Sequence, residues 1–471
     1  MSFLTRRKPI DQVTVHAEHH RLRKTLSWPH LVALGVGGIV GTGIYTLVGV
    51  GAGLAGPGVI LSFAIAGMVC ACAALAYAEM STMMPAAGSA YTYSYVVLGE
   101  GLAWIVGWSL ILEYTVVCSA VSVGWSAHAV EFVRAGGLDV PQLLLAGPHA
   151  GGVVNLPAVL ISLAVAGLLI LGTRESATVN VVLVAIKVLA LLAFVVVAAP
   201  AFDPGHFTPF APFGVSRETA EGVKLGIVPA ASLIFFAFYG FDAISTAAEE
   251  ARRPSRDLTI GIIGSMLLCT VIYMGVAAAA IGAVAPARFA GSEAPLVFVL
   301  DALNHPFTAK LVAGAAVLAL PTVIMVFMYG QSRIFFVMAR DGLLPQGLAR
   351  VNARTGTPAL MTAVTGVISA ALAGFLPLKE IAELANAGTL AAFIAVAVCM
   401  MILRRVRPDL PRPFRTPVWW LVGPLAVAGC LYLFASLPHR TQLWFLAWNT
   451  VGVLAYLAYG RRSSRLASAA G

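Results

Sequence analysis

The sequence predicts an all-α integral membrane protein of twelve transmembrane helices, built as a five-plus-five inverted repeat with two additional C-terminal helices. Three observations predict it. Of the 471 residues, 59% are hydrophobic and only 11% charged, against about 25% charged in soluble chains. Twelve stretches are long and apolar enough for a hydrocarbon core that takes about 20 residues per helix. Two of those stretches, five apart in order, are interrupted by glycine.

The chain begins with a basic tail, residues 1–27, holding Arg6, Arg7, Lys8, Arg21, Arg23 and Lys24. No short apolar core with a cleavage site follows it, so no cleaved signal peptide is expected. Its cluster His16, Glu18, His19 and His20 lacks the H-E-x-x-H spacing and reads as solvated tail rather than a metal site. Helices 1 to 5 fall near 28–54, 57–80, 102–130, 155–172 and 179–200 and make the first repeat, 28–200. Helices 6 to 10, near 225–248, 258–284, 310–335, 358–376 and 384–403, make the second, 225–403. Helices 11 and 12, near 417–437 and 441–460, precede a tail, 461–471. An odd number of helices per repeat means that the two repeats cross the bilayer in opposite senses.

With the N-terminus inside, 22 of the 30 Lys and Arg lie in cytoplasmic segments and 7 in outward loops, with Lys187 left inside the membrane. The positive-inside rule then assigns both termini to the cytoplasm. The net charge of +9 is thus sorted by side, and nucleic-acid binding is the weaker reading. All six cysteines fall within spans, where no disulfide is expected. Cys70 and Cys72, two apart on a helix, face different sides and do not suggest a shared metal. No cofactor is expected.

Interrupted helices point to a binding site, because freed backbone groups are tolerated in a membrane only in the protein interior or beside a cavity. Close helix packing through small residues is the alternative reading. Helix 1 carries Gly37, Gly38, Gly41 and Gly43, with Thr42 as a candidate cap; helix 6 carries Gly240 with Asp242. A free amino acid needs a positive and a negative patch side by side in a dry place, and broken helices supply both. The N–H groups of Gly41, Thr42 and Gly43 face an anion, while carbonyls near Ile39 and near Phe235, Phe238 and Tyr239 face a cation. Asp242 is expected to cap the second half of helix 6. Phe236 is the expected aromatic lid over the substrate side chain, among the cluster Phe235, Phe236, Phe238, Tyr239 and Phe241.

Ionisable residues inside a bilayer face a cavity or a partner. Glu79, near the inner end of helix 2, suits packing or gating. Glu113, midway along helix 3, meets the substrate ammonium through water or orients the half-helix carbonyls; the other reading is a buried structural acid paired with a neighbour. Lys187 lies too deep in helix 5 for its stem to reach either interface. An amine removed from water can exchange its proton within the physiological range, so a proton becomes the candidate coupling ion. The other reading is a permanently charged lysine held by carbonyls of the broken first helix.

The segments GGIVGTGIY, YAEMSTMMPAAGSAYTYSY, FFAFYGFDAISTAAEE and YGQSRIFFVMARDGLLP resemble the amino acid-polyamine-organocation superfamily, and within it the bacterial relatives of the cationic amino acid transporters. The resemblance runs from about residue 25 to 460. It implies a LeuT-like five-plus-five fold in a bacterial inner membrane, substrate held between helices 1, 3, 6 and 8, and proton symport. By this resemblance Gly41, Thr42 and Gly43 match the carboxylate-binding turn, Phe236 the lid, and Lys187 the lysine of proton-coupled members.

Helix 8 carries Met325, Phe327 and Met328 and no acid, a wall that does not suit a guanidinium. The expected substrate is therefore a small neutral amino acid such as alanine, with arginine or lysine as the alternative. Expected partners are the amino acid, a proton and the lipid bilayer, with room for a small single-span membrane partner that the residues do not specify. The chain has no G-x-x-x-x-G-K-[ST] nucleotide loop, so it is not read as an ATP-driven pump or as an enzyme. An exchanger, a channel and a non-transporting sensor are the remaining readings.

Overall fold

A computed structural model describes residues 6–13, 22–135, 141–145, 147–148, 151–219, 224–290, 292, 294–376, 378–437 and 439–468. The cluster His16, Glu18, His19 and His20 lies outside the described residues. Helix α1 (Trp28–Ile39) starts where Ser27 and His30 bond reciprocally and Pro29 occupies the first turn, a position where a missing N–H costs nothing. It is followed by α2 (Thr42–Ala55), α3 (Val59–Met83), α4 (Ala90–Val97), α5 (Glu100–Ala135), α6 (Leu156–Leu171) and α7 (Thr173–Ala198). A two-stranded hairpin pairs Arg217–Glu218 with Lys224–Leu225. Then come α8 (Ile227–Ile234), α9 (Ala243–Thr246), α10 (Pro254–Ala283), α11 (Pro286–Phe289), α12 (Pro295–Ala302), α13 (Pro306–Arg340), α14 (Ala359–Phe375), α15 (Leu378–Val406), α16 (Trp419–Ala435) and α17 (His439–Ala455).

Among the described residues, seven helical stretches are long and apolar enough to cross a membrane, and α1, α6, α14 and α16 are shorter apolar helices. Expected helix 6 satisfies neither description, because it is divided into α8 and α9. Helices α4, α11 and α12 were not foreseen, being too short to appear as spans. Helix α5 is the axis of the bundle, packed along α13 and α15. The apolar window of α5 is 89% buried, against 17% for that of the last helix. Around it runs a belt of outward apolar side chains, including Leu189 and Val196 of α7, Val367 of α14 and Leu446 of α17. So much exposed apolar surface is what a lipid solvent accepts and water does not.

Two devices satisfy the chain where helices meet. Pro321 lies inside α13 and cannot donate to the carbonyl four residues earlier. The Trp125 indole of α5 supplies that donor, reaching the Val317 carbonyl at 2.9 Å. Between α5 and α17, Trp104 stacks on Trp108 at 5.5 Å and Trp108 on Trp448 at 4.9 Å. The indoles of Trp108 and Trp448 each donate to the other's backbone carbonyl at 2.9 Å, and that of Trp104 donates to Gly452 at 2.7 Å.

Candidate functional site

Two helix breaks meet at the centre. Helix α1 stops at Ile39, Val40 is extended, and α2 resumes at Thr42 with Gly41 in the cap position. Thr42, expected as the cap, is instead the first helical residue, since glycine takes the irregular backbone that the restart needs. The first N–H groups of α2 have no acceptor within their own helix. On the other chain segment, α8 stops at Ile234, a 3-10 turn spans Phe235–Ala237, and Gly240 turns the backbone at φ +117° before α9. A methyl on Gly240 would lie 2.8 Å from the Gly38 carbonyl carbon, and one on Gly38 would lie 3.2 Å from the Gly240 oxygen. The breaks therefore touch backbone to backbone, a contact that any Cβ would prevent.

The Tyr273 hydroxyl of α10 lies 2.7 Å from the Ile39 carbonyl and 3.1 Å from that of Ala237, so one donor bridges both breaks. The Ile39 carbonyl, expected to face a cation, thus already accepts from this phenol. The Phe235 carbonyl accepts from Phe238 N–H at 3.0 Å within the 3-10 turn. Asp242 stands at the cap position of α9 but makes no side-chain cap bond. Its carboxylate accepts from the Gly240 N–H at 3.1 Å and from the Tyr114 hydroxyl of α5. The capping expectation is corrected: the positive-φ turn at Gly240 swings that N–H toward the carboxylate, which fastens the break itself.

Lys187 is fully buried. Its ammonium donates to the Val40 carbonyl at 2.6 Å, the Thr322 hydroxyl at 2.7 Å and the Gly37 carbonyl at 3.0 Å. An ammonium has three donors, and these bonds use all of them. α7 and α13 are thereby fastened to the end of α1.

The rings divide the second break. Phe238 packs on Phe63 and Tyr273 at 6.2 and 5.1 Å, and Phe241 on Phe393 at 5.0 Å. Phe235 also meets Phe393, at 6.2 Å, so these three rings fill the core around the break. Tyr239 meets the edge of Phe327 at 5.8 Å, and Tyr114 meets the same ring at 5.1 Å. The side chains of Thr42 and Phe236 lie outside the described ones. Met325, Phe327 and Met328 of α13 are all buried.

The Glu113 carboxyl turns toward α15, where it accepts from the Thr389 hydroxyl, and its second oxygen has no hydrogen-bond partner. Glu79 is a structural tie: both oxygens accept from the Arg404 guanidinium at 2.7 Å, and one also from Thr416 N–H at 2.7 Å.

The two ends of the bundle differ. On the face that carries both chain tails, Arg340 grips Glu249 through bonds of 2.9 and 2.6 Å. Glu250 takes Arg333 and the Tyr329 hydroxyl, and Asp341 takes Lys8 at 2.6 Å and Tyr91 at 3.1 Å. Glu249 and Glu250 sit in STAAEE and Arg340 and Asp341 in MARDG, while Arg333 lies two turns before Arg340 and Lys8 in the N-terminal tail. On the opposite face, a cavity of about 640 Å³ is lined by Leu47, Leu54, Pro229, Ser232, Leu233 and Asn386, among others. It lies between α2, α8, the hairpin and the end of α16, and its lining includes no residue of either break. Sequence reasoning missed Tyr273, Thr322, Tyr114 and Thr389, ordinary polar residues of apolar helices with no local pattern to mark them.

Residues 26–455 match the family described as amino acid permease. The chain is 42% identical over 466 residues to a branched-chain amino acid permease of Bacillus subtilis (strain 168), covering 98% of each chain. It is 38% identical over 469 residues to a methylthioribose transporter of the same organism, covering 99% of this chain and 100% of that one. With a vacuolar cationic amino acid transporter of Arabidopsis thaliana it shares 40% identity over 417 residues, 86% of this chain and 64% of the relative. All three relatives are transporters, not enzymes.

Proposed function

The chain belongs to the amino acid permease family, and from that premise we propose that it takes up neutral amino acids with small or branched apolar side chains, alanine among them, by proton symport. The observation that carries the reading is the Lys187 ammonium seated on the end of the first broken helix, beside the second break. In the proposed cycle, the substrate carboxylate rests on the N–H groups of Gly41, Thr42 and Gly43. Backbone carbonyls of the second break take the ammonium with the help of Glu113. The apolar wall of Phe327, Met325 and Met328 takes the side chain, and Phe236 is the lid. Proton loss at Lys187 weakens its hold on α1 and lets that helix move.

The same proposal includes twelve spans in two inverted repeats, 28–200 and 225–403, with an added pair at 417–460. Both termini then lie in the cytoplasm of a bacterial inner membrane. Closure of the tail-bearing face by ion pairs, with a cavity on the opposite face, suits an outward-open state.

In liposomes held at fixed membrane potential, alanine uptake is expected to follow an inward proton gradient in the wild type and to lose that dependence in Lys187→Ala. A wild type that ignores the gradient and moves alanine only against internal amino acid is an exchanger, and Lys187 is then structural. Leucine and serine are expected to compete with labelled alanine more strongly than arginine does. The reverse order would replace the neutral substrate with a cationic one.

A further inference from the structure

Helix α7 carries a polar group that this cycle leaves unused. Its buried stripe steps by three and four residues, as one side of a helix requires, and Lys187 divides it. Toward the tail-bearing face the stripe holds Val184, then Asn180 and Ser176; toward the other face it holds Leu191, Phe194 and Ala198. The stripe is apolar throughout toward the other face, while toward the tail-bearing face polar groups begin one turn beyond Val184.

Asn180 is 1% exposed, and neither its amide oxygen nor its amide nitrogen has a hydrogen-bond partner. An unpartnered buried polar group costs about 1–3 kcal/mol, and buried water is the usual remedy. The amide borders a cavity of about 10 Å³, shared with His30, Ser176, Met325 and Tyr329, which is roughly the room that one water needs. Gly37, outside the cavity lining, lies against both Asn180 and the lysine. A methyl on Gly37 would fall 2.8 Å from the Asn180 amide oxygen, and the Gly37 carbonyl accepts from Lys187 at 3.0 Å.

Resting on the proton-symport reading, we propose that Asn180 seats a water that is the first station of the route by which a proton leaves Lys187 for the tail-bearing face. The N–H on the Gly37 carbonyl, the longest of the three bonds, first turns from that carbonyl to the water; this N–H bond then breaks and its electron pair stays on nitrogen, giving the neutral amine. The water takes up that proton and releases one toward Ser176 and His30. The groups around this path are His30 of α1, Cys269 and Tyr273 of α10, and Thr322 and Tyr329 of α13, with the Glu250–Arg333 pair behind Tyr329. From α6 the cavity receives only Leu169.

The test separates net transport from exchange, because exchange returns the carrier loaded and needs no proton release. Asn180→Leu removes both amide groups at nearly constant volume. In proteoliposomes it is expected to leave alanine counterflow within about twofold of wild type and to lower gradient-driven accumulation by about tenfold or more. Asn180→Ser, which keeps a hydroxyl beside the water, is expected to restore most of the accumulation. A wild type driven by the gradient with Asn180→Leu accumulating equally well overturns the relay and leaves symport standing. Counterflow and accumulation that fall together in Asn180→Leu make the residue a packing element and also overturn the relay. A wild type indifferent to the gradient overturns both readings.

Discussion

Gly240 holds a backbone angle of φ +117°, which a side chain resists, and it also lies against Gly38. Gly240→Ala is expected to destabilise the protein by about 1–3 kcal/mol, read as a lower thermal unfolding midpoint in detergent. Gly275 of α10 is the matched control, because nothing lies within 4 Å of its added methyl; helix propensity alone then makes Gly275→Ala neutral or stabilising by roughly 0.5–1 kcal/mol. Among the described residues, Thr322 is the one side chain that accepts from Lys187, at 2.7 Å. Thr322→Val keeps the shape and leaves one ammonium donor unmatched, so a loss of about 1–3 kcal/mol is expected, together with weaker dependence of uptake on the proton gradient. Both glycine breaks and Lys187 were legible in the sequence because each violates a rule of membrane helices. Thr322 was not, because a threonine in an apolar helix violates none.

At the scale of elements, the two half-helices are held by a third. Tyr273 of α10 reaches Ile39, 234 positions away in the chain, and Ala237, 36 away. Tyr273→Phe removes that bridge and nothing else, so it is expected to cost about 0.5–1.5 kcal/mol in stability. Because the bridge is made where the helices must move, the maximal uptake rate is expected to fall more than apparent substrate affinity; an equal fall in both would make the bond a simple brace. Hydropathy located the long helices, since the length of an apolar run is a local property. The bridge between breaks, the Asp242 contact with Tyr114 and the turn of Glu113 toward Thr389 depend on which helices become neighbours. A single run of residues does not carry that information. Helix α4 escaped for a different reason: its AYTYSYVV is too short to span, and its tyrosines form a helix only because the surrounding bundle buries them.

Across the whole molecule, the tail-bearing face is closed by buried ion pairs, of which Arg340 with Glu249 is bidentate. Removing one partner strands the other charge and costs about 3–5 kcal/mol, so Arg340→Gln and Glu249→Gln are each expected to unfold at lower temperature. The double variant strands no charge and is expected to be more stable than either single one; additive losses would mean that the two groups do not act as a pair. Basic residues scattered over short loops revealed a charged face, but not that acids inside the family-like segments would meet them there. The tryptophan stack between α5 and α17 carries a consequence for spectroscopy. Three of the eight tryptophans are gathered into that one seam, close enough to share excitation and to quench one another. Intrinsic fluorescence should therefore report whether the last helix stays clasped to the central one while the broken helices move, and a constant emission through turnover would mark this pair as the stationary frame.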